Sequence, residues 1–270
     1  MLLQVSVCEL PYWENNMVEA TATLKTPSAF KPNFYFWMTA ALAAVIFGGF
    51  GISYFAPMAT GSLRPISPLV HFHGIFYFAW MILLMVQSGL VNSGNVALHR
   101  TLGTIGISVA TGLVIFASVI SIENTRASLE LSADPFLFQL MYLNIVAIST
   151  FTILFIMAMR KTRQPEFHRR LVLLATVGFI GAGINRFYVA AFQVDFAPFW
   201  FIYLVSDLFI LALIIHDWKT LQKLHPATIS GGLIVVVIQL LQWPIAGTAA
   251  FESVTYWLVS LGGYAITPLV

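Results

Sequence analysis

The chain has 270 residues, of which 59% are apolar and only 9% charged, with a formal net charge of +2. A soluble domain carries roughly 25% charged residues, so a freely soluble globular enzyme is excluded, and the small net charge gives no reason to expect a nucleic-acid partner. The single cysteine, Cys8, rules out an intrachain disulfide and a Cys-rich metal centre.

The first 33 residues read as a cytoplasmic segment. Residues 1–8 are too short for a signal peptide, and Glu9 and Glu14 follow at once. No pattern precedes Met17, which makes it a plausible alternative start. From Pro32 onward the chain is a succession of charge-free runs: 32–63, 65–99, 101–122, 135–159 and 224–251. Two further runs are broken once each, by Arg186 and by Asp207. A hydrocarbon core of about 30 Å needs about 20 helical residues, and backbone polar groups in lipid must pair within the segment. With no period-2 alternation to suggest a barrel, the expectation is an all-α polytopic transmembrane bundle. Its seven spans are placed at about 34–56, 68–92, 101–122, 136–159, 169–192, 198–216 and 228–249, giving a transmembrane domain over 34–250. The apolar tail 251–270 is expected on the outer surface or as a short eighth helix.

On alternate sides of these spans the Lys and Arg residues divide ten against three. Lys25, Lys31, Arg100, Arg160, Lys161, Arg163, Arg169, Arg170, Lys219 and Lys223 face Arg64, Arg126 and Arg186. By the positive-inside rule the N-terminus is cytoplasmic, in an inner (cytoplasmic) membrane with lipid as the main partner. Trp37, Trp200, Trp218 and Trp243 fall near span ends, as interfacial anchors do.

Span two carries His73, Tyr77, Trp80 and Gln87 at helical offsets, on one stripe that is expected to face the bundle. His71 and His73 are about 200° apart on a helix, so His73 is expected inside and His71 at the headgroups. Span three offers Thr104, Ser108, Thr111 and Ser118 as small packing residues, and span five Gly178 and Gly181. Arg186 and Asp207 lie at similar depths on neighbouring spans, and an isolated charge there costs about 2.5–3.5 kcal/mol, so the two are expected to pair. With Asn144 and Asn185 they would complete an outward-facing polar pocket of His73, Tyr77, Asn144, Asn185, Arg186 and Asp207 that binds a small or amphiphilic molecule. Gln139, Tyr142 and Tyr203 add to the same polar region. A metal-dependent hydrolase would need at least three converging ligands, for which only His71, His73 and Asp207 offer themselves. At the inner end, the basic run 166–170 reads as a lipid and topology anchor. No phosphate loop, dinucleotide fingerprint or H-E-x-x-H string occurs.

Several strings carry a resemblance: H-x-H at 71–73 with Trp80 and Gln87, L-H-R-T-L-G at 98–103, and E-F-H-R-R-L with L-L-A-T at 166–176. S-D-L-F at 206–209 and H-P-A-T with G-G at 225–232 complete it. Over about residues 68–245 this pattern resembles a group of uncharacterised bacterial multi-pass inner-membrane proteins, which implies the location and no particular activity. The H-R-x-L-G string at 99–103 and the membrane histidines are also similar to cytochrome b561 and ferric-reductase-type membrane domains. That likeness implies b-type haem held between histidines on facing helices, here His99, His168 and His216, in a haem- or quinone-linked redox protein.

Overall fold

The computed structural model describes residues 30–132 and 134–261, so the expectations for the N-terminal segment before residue 30, for Met17 and for the tail beyond 261 lie outside the described residues. Among those residues the regular structure is entirely helical. Seven helices are long and apolar enough to cross a membrane: α1 Phe34–Ala59, α2 Pro68–Asn92, α3 Val96–Leu129, α4 Pro135–Arg160, α5 Pro165–Phe192, α6 Phe199–Leu221 and α7 Pro226–Ile245. A shorter helix, α8 Ala249–Ser260, follows. At about 1.5 Å per residue its 12 residues reach about 18 Å, well short of the hydrocarbon thickness. It packs Val259 against Leu129 and Phe138, at the junction of α3 and α4.

The chain is a multi-pass membrane bundle. Its outward faces present Ile75, Ile82, Ile115, Leu208, Leu233 and Leu240, each more than half exposed. In water this would be a continuous sticky surface; against lipid tails it is neutral. Leu42, Ile46, Met81, Leu154, Leu174 and Leu213 are fully enclosed between the helices. Trp37, Trp200, Trp218 and Trp243 are all exposed. The helices alternate in direction, so Lys31, Arg100, Arg160, Arg170 and Lys219 gather at one end, called here the basic end.

Helix boundaries depart from the expected spans for physical reasons. The start of α3 is set by Asn95, whose side chain accepts from Leu98 N. Its far end runs past Ile122 because Arg126 pairs with Glu123 and, at 3.8 Å, with Glu130, which extends the helix while ending the apolar span. α6 continues beyond His216 because Asp217 is buried and paired. α7 ends at Ile245 because Thr248 accepts from Phe251 N and opens α8. On α3 the expected small-residue packing face is a correction. Thr104 and Thr111 point outward with their hydroxyls returned to Thr101 O and Ile107 O, and Gly106, Ala110 and Leu113 make the packed face. A hydroxyl that bonds its own helix needs no neighbour.

Three of the long helices are irregular; α7 breaks at Leu241, and the irregularities of α1 and α5 border the same region. α1 passes through a π-helical turn at Gly51–Phe55. α5 consists of Pro165–Val177 and Gly181–Phe192, interrupted at residues 178–180. The two cross with backbones in contact. A Cβ on Gly49 would fall 2.5 Å from Gly183 O, and one on Gly183 would fall 2.6 Å from Val45 O. Only glycine at both positions permits this approach.

Candidate functional site

The α2 stripe faces inward as its spacing requires. Tyr77 and Trp80 are buried; Tyr77 Oη donates to Phe179 O at 3.2 Å, and Trp80 Nε1 donates to Thr176 Oγ1 at 3.2 Å. Tyr77 thereby satisfies a carbonyl freed by the interruption of α5. One turn earlier, His73 looks into a cavity of about 340 Å³ in the half of the bundle away from the basic end. Val70 and Leu113 border it with apolar surface, while His73, Tyr77, Asn144, Asn185 and Arg186 supply polar wall. His71 lies outside, with its Nδ1 2.6 Å from Tyr54 Oη.

The guanidinium of Arg186 is held by α1 and α5. Its Nη1 donates to Ala182 O at 2.9 Å, one turn back on α5, and its Cζ lies 3.7 Å from the centroid of the Phe50 ring, beside the π turn of α1. A desolvated cation–π contact of this kind is worth about 2 kcal/mol. It offsets part of the cost of the charge, and no carboxylate of the described residues pairs with the cation.

The expected Arg186–Asp207 pair does not form. The ion pairs of the described residues do not include it, and Asp207 is no part of the cavity wall. Depth was matched but azimuth was not. Ser206 faces the cavity, and the next residue on a helix is turned by about 100°. Asp207 interacts instead with Gln239 of α7, and its Oδ1 is buried without a hydrogen-bond partner. His71, His73 and Asp207 therefore do not converge, and among the described residues no three His, Cys, Asp or Glu side chains do.

Several other polar groups of this half are engaged in structure. Asn185 Oδ1 accepts from Ala197 N at 2.7 Å and fixes the α5–α6 connection. Tyr142 Oη donates to Ile238 O at 3.0 Å. Tyr203 Oη donates to Gln242 Oε1, and Gln242 Nε2 reaches Gln139 Oε1 at 3.1 Å, which ties α4, α6 and α7 together. Gln242 was not singled out from the sequence, although a glutamine in an otherwise apolar span end was the available signal. Of the cavity residues, His73, whose Nδ1 is buried without a partner among the described residues, Asn144 and Arg186 face the space a bound molecule would take.

No protein-family model, no curated protein and no solved structure matches the chain. What the cavity can do follows from its own side chains: a mainly apolar enclosure with one uncompensated cation suits an amphiphile with a negative end.

At the basic end the three histidines of the haem expectation separate. His99 on α3 and His168 on α5 face each other, with ring centroids 6.4 Å apart and planes at 85°. His216 is elsewhere, stacked at 3.9 Å on Phe34. Beside it lies a charged clasp that sequence reading treated as a membrane anchor. Arg170 and Asp217 are 1% and 0% exposed, and Asp217 Oδ1 accepts from Arg170 Nε at 3.0 Å and Nη2 at 2.5 Å. Asp217 Oδ2 accepts from Thr228 Oγ1 at 2.5 Å and His225 N at 3.1 Å, and Arg170 Nη1 donates to Glu166 Oε2 at 2.6 Å. α5, α6 and α7 are joined at this point. Burial, and after it the Arg170 charge, holds the His225 ring below the usual imidazole range, which keeps its Nδ1 available to accept from Ala227 N and cap α7.

Proposed function

We propose that the protein is a multi-pass inner-membrane protein, N-terminus cytoplasmic, whose outward-facing intramembrane cavity binds a small or amphiphilic molecule through an anionic group at Arg186. It would serve as carrier, sensor or accessory factor. The observation that carries the reading is Arg186 in the cavity wall, without a carboxylate partner among the described residues, in a span where an isolated charge costs about 2.5–3.5 kcal/mol. The ten-to-three division of basic residues supports the orientation, since the cavity lies in the half away from the basic end. His73 would add a hydrogen bond beside the anion, Tyr77 and Asn144 shape the wall, and Asn185 holds the connection that closes it. Asp207 is outside the wall, bonded to Gln239, which does line the cavity, and takes no direct part.

The test compares dodecanoate, dodecanol and dodecyltrimethylammonium on the purified protein in a neutral detergent, reading thermal midpoint and calorimetric affinity. Dodecanoate is expected to bind and stabilise, and Arg186→Gln is expected to weaken it about ten- to a hundredfold, the range of a lost charge-assisted hydrogen bond. Equal responses to the three headgroups, or undiminished dodecanoate binding by a folded Arg186→Gln protein, would show that Arg186 is not an anion anchor.

A further inference from the structure

A second group of unsatisfied donors and acceptors lies at the other end of the bundle, independent of the cavity. His168 Nδ1 is 3.0 Å from Ala158 O. A carbonyl only accepts, so Nδ1 carries the proton, and in the neutral ring Nε2 is left as a bare lone pair. This backbone-oriented arrangement is the one that fixes metal-binding imidazoles. Across from it, His99 Nδ1 is buried and has no hydrogen-bond partner. Gln87 of α2 donates its Nε2 to His99 O at 3.1 Å, which fixes the amide's sense and leaves Oε1 as a second buried atom without a partner.

One imidazole nitrogen and one amide oxygen, from α3 and α2, are thus buried without a partner among the described residues, and the His168 ring of α5 faces that imidazole. Buried polar atoms of this kind are costly unless satisfied. The spacing is also suitable. With metal–nitrogen bonds of about 2.0–2.1 Å, two imidazoles on one ion have ring centroids about 5.2 Å apart at a tetrahedral angle and about 6.4 Å apart when they are trans to one another. The observed separation is 6.4 Å.

We propose that His99, His168 and Gln87 form a binding site for a divalent first-row transition metal that takes trans imidazoles, copper(II) above all, at the basic end of the bundle. Imidazole ligands suit such ions, and copper(II) binds such a donor set most tightly of the series. Three protein donors leave at least one coordination position for water or an exogenous ligand. Gln87 also packs over Gly103, a residue where even a methyl group would lie 3.8 Å from its Nε2.

Copper(II) is the probe, and the protein is the full chain with any purification tag removed. A His71→Ala, His73→Ala background eliminates the H-x-H sequence as a competing ligand. This background is expected to retain one equivalent of copper, with nitrogen hyperfine structure from two imidazoles in its electron paramagnetic resonance spectrum. Adding His99→Ala or His168→Ala is expected to weaken binding by more than about 100-fold, beyond the range seen for residues that only support a ligand. Gln87→Glu, which supplies a charged oxygen at the same place, is expected to tighten it and guards against histidine variants that fail to fold. Three results would each overturn the proposal. One is copper bound equally well by a folded His99→Ala, His168→Ala protein; another is an affinity untouched by Gln87→Glu. The third is a Soret band in the isolated protein that disappears with His99 or His168, since the pair would then belong to haem.

Discussion

Replacing Asp217 with alanine is expected to destabilise the bundle by about 3–5 kcal/mol, the range found when one partner of a buried ion pair is removed. The loss is large because of what remains. Arg170, 1% exposed, would keep its charge and face an empty space in place of the carboxylate that now accepts from its Nε and Nη2. Glu166 would be its last acidic contact, and that side chain is half exposed on the same helix. Thr228 Oγ1 and His225 N would lose their acceptor as well, so the start of α7 would loosen together with the α5–α6 contact. Asp217→Asn retains an oxygen for these two donors and is expected to fall between wild type and alanine. A double replacement, Arg170→Met with Asp217→Leu, removes both charges and is expected to be closer to wild type than either single change. Thermal unfolding in detergent, followed by monodispersity on size exclusion, separates these cases. Added salt is expected to matter little, because screening acts on exposed charges. An Asp217→Ala protein within about 0.5 kcal/mol of wild type, the range of an ordinary surface change, would mean that the pair is not a clasp.

The contrast between the two charged pairs explains what could be read from the chain. Span number and direction follow from hydropathy and from the placement of Lys and Arg, both of which are local quantities. The inward face of α2 was legible because four residues repeat at helical offsets, so their common azimuth was over-determined. Asp207 had no such companions. Its depth could be counted, but one residue of helix is about 100° of turn, and that turn takes it out of the cavity wall and away from Arg186. Arg170 and Asp217 were hidden for a different reason. Charges at span ends are usually solvated or bound to headgroups, and nothing local distinguishes a guanidinium that folds back between three helices from one that reaches outward. The interruption of α5 and the π turn of α1 are tertiary in origin, since the freed Phe179 carbonyl is satisfied by Tyr77, a residue 102 positions away. Helix breaks of this kind have no signature beyond glycines, which are equally common where helices merely pack.

That crossing of α1 and α5 is where a very small substitution is expected to have a large effect. Gly183→Ala adds one methyl group whose carbon would lie 2.6 Å from Val45 O, with Val45 C and Ile46 Cα at 3.1 and 3.2 Å. All three are backbone atoms, so no rotamer change can relieve the overlap, and one of the helices must move. Overpacking a close-packed site costs about 1–3 kcal/mol, and alanine here is expected near the upper end; Gly183→Leu is expected to prevent assembly of the bundle. Gly89 provides the control. It sits inside α2 with nothing within 4 Å of the added carbon, so Gly89→Ala is expected to be neutral or to stabilise by about 0.5–1 kcal/mol, the helix preference of alanine over glycine. The consequence reaches the cavity. Phe50 follows Gly49 on α1, and Arg186 comes three residues after Gly183 on α5, so separating the helices pulls the ring away from the guanidinium it now covers at 3.7 Å. A Gly183→Ala protein that still folds is therefore expected to lose dodecanoate affinity along with thermal stability, whereas Gly89→Ala retains both. If the two alanine proteins prove indistinguishable in melting and in binding, α1 and α5 are not in backbone contact and the placement of Arg186 beside Phe50 fails with them.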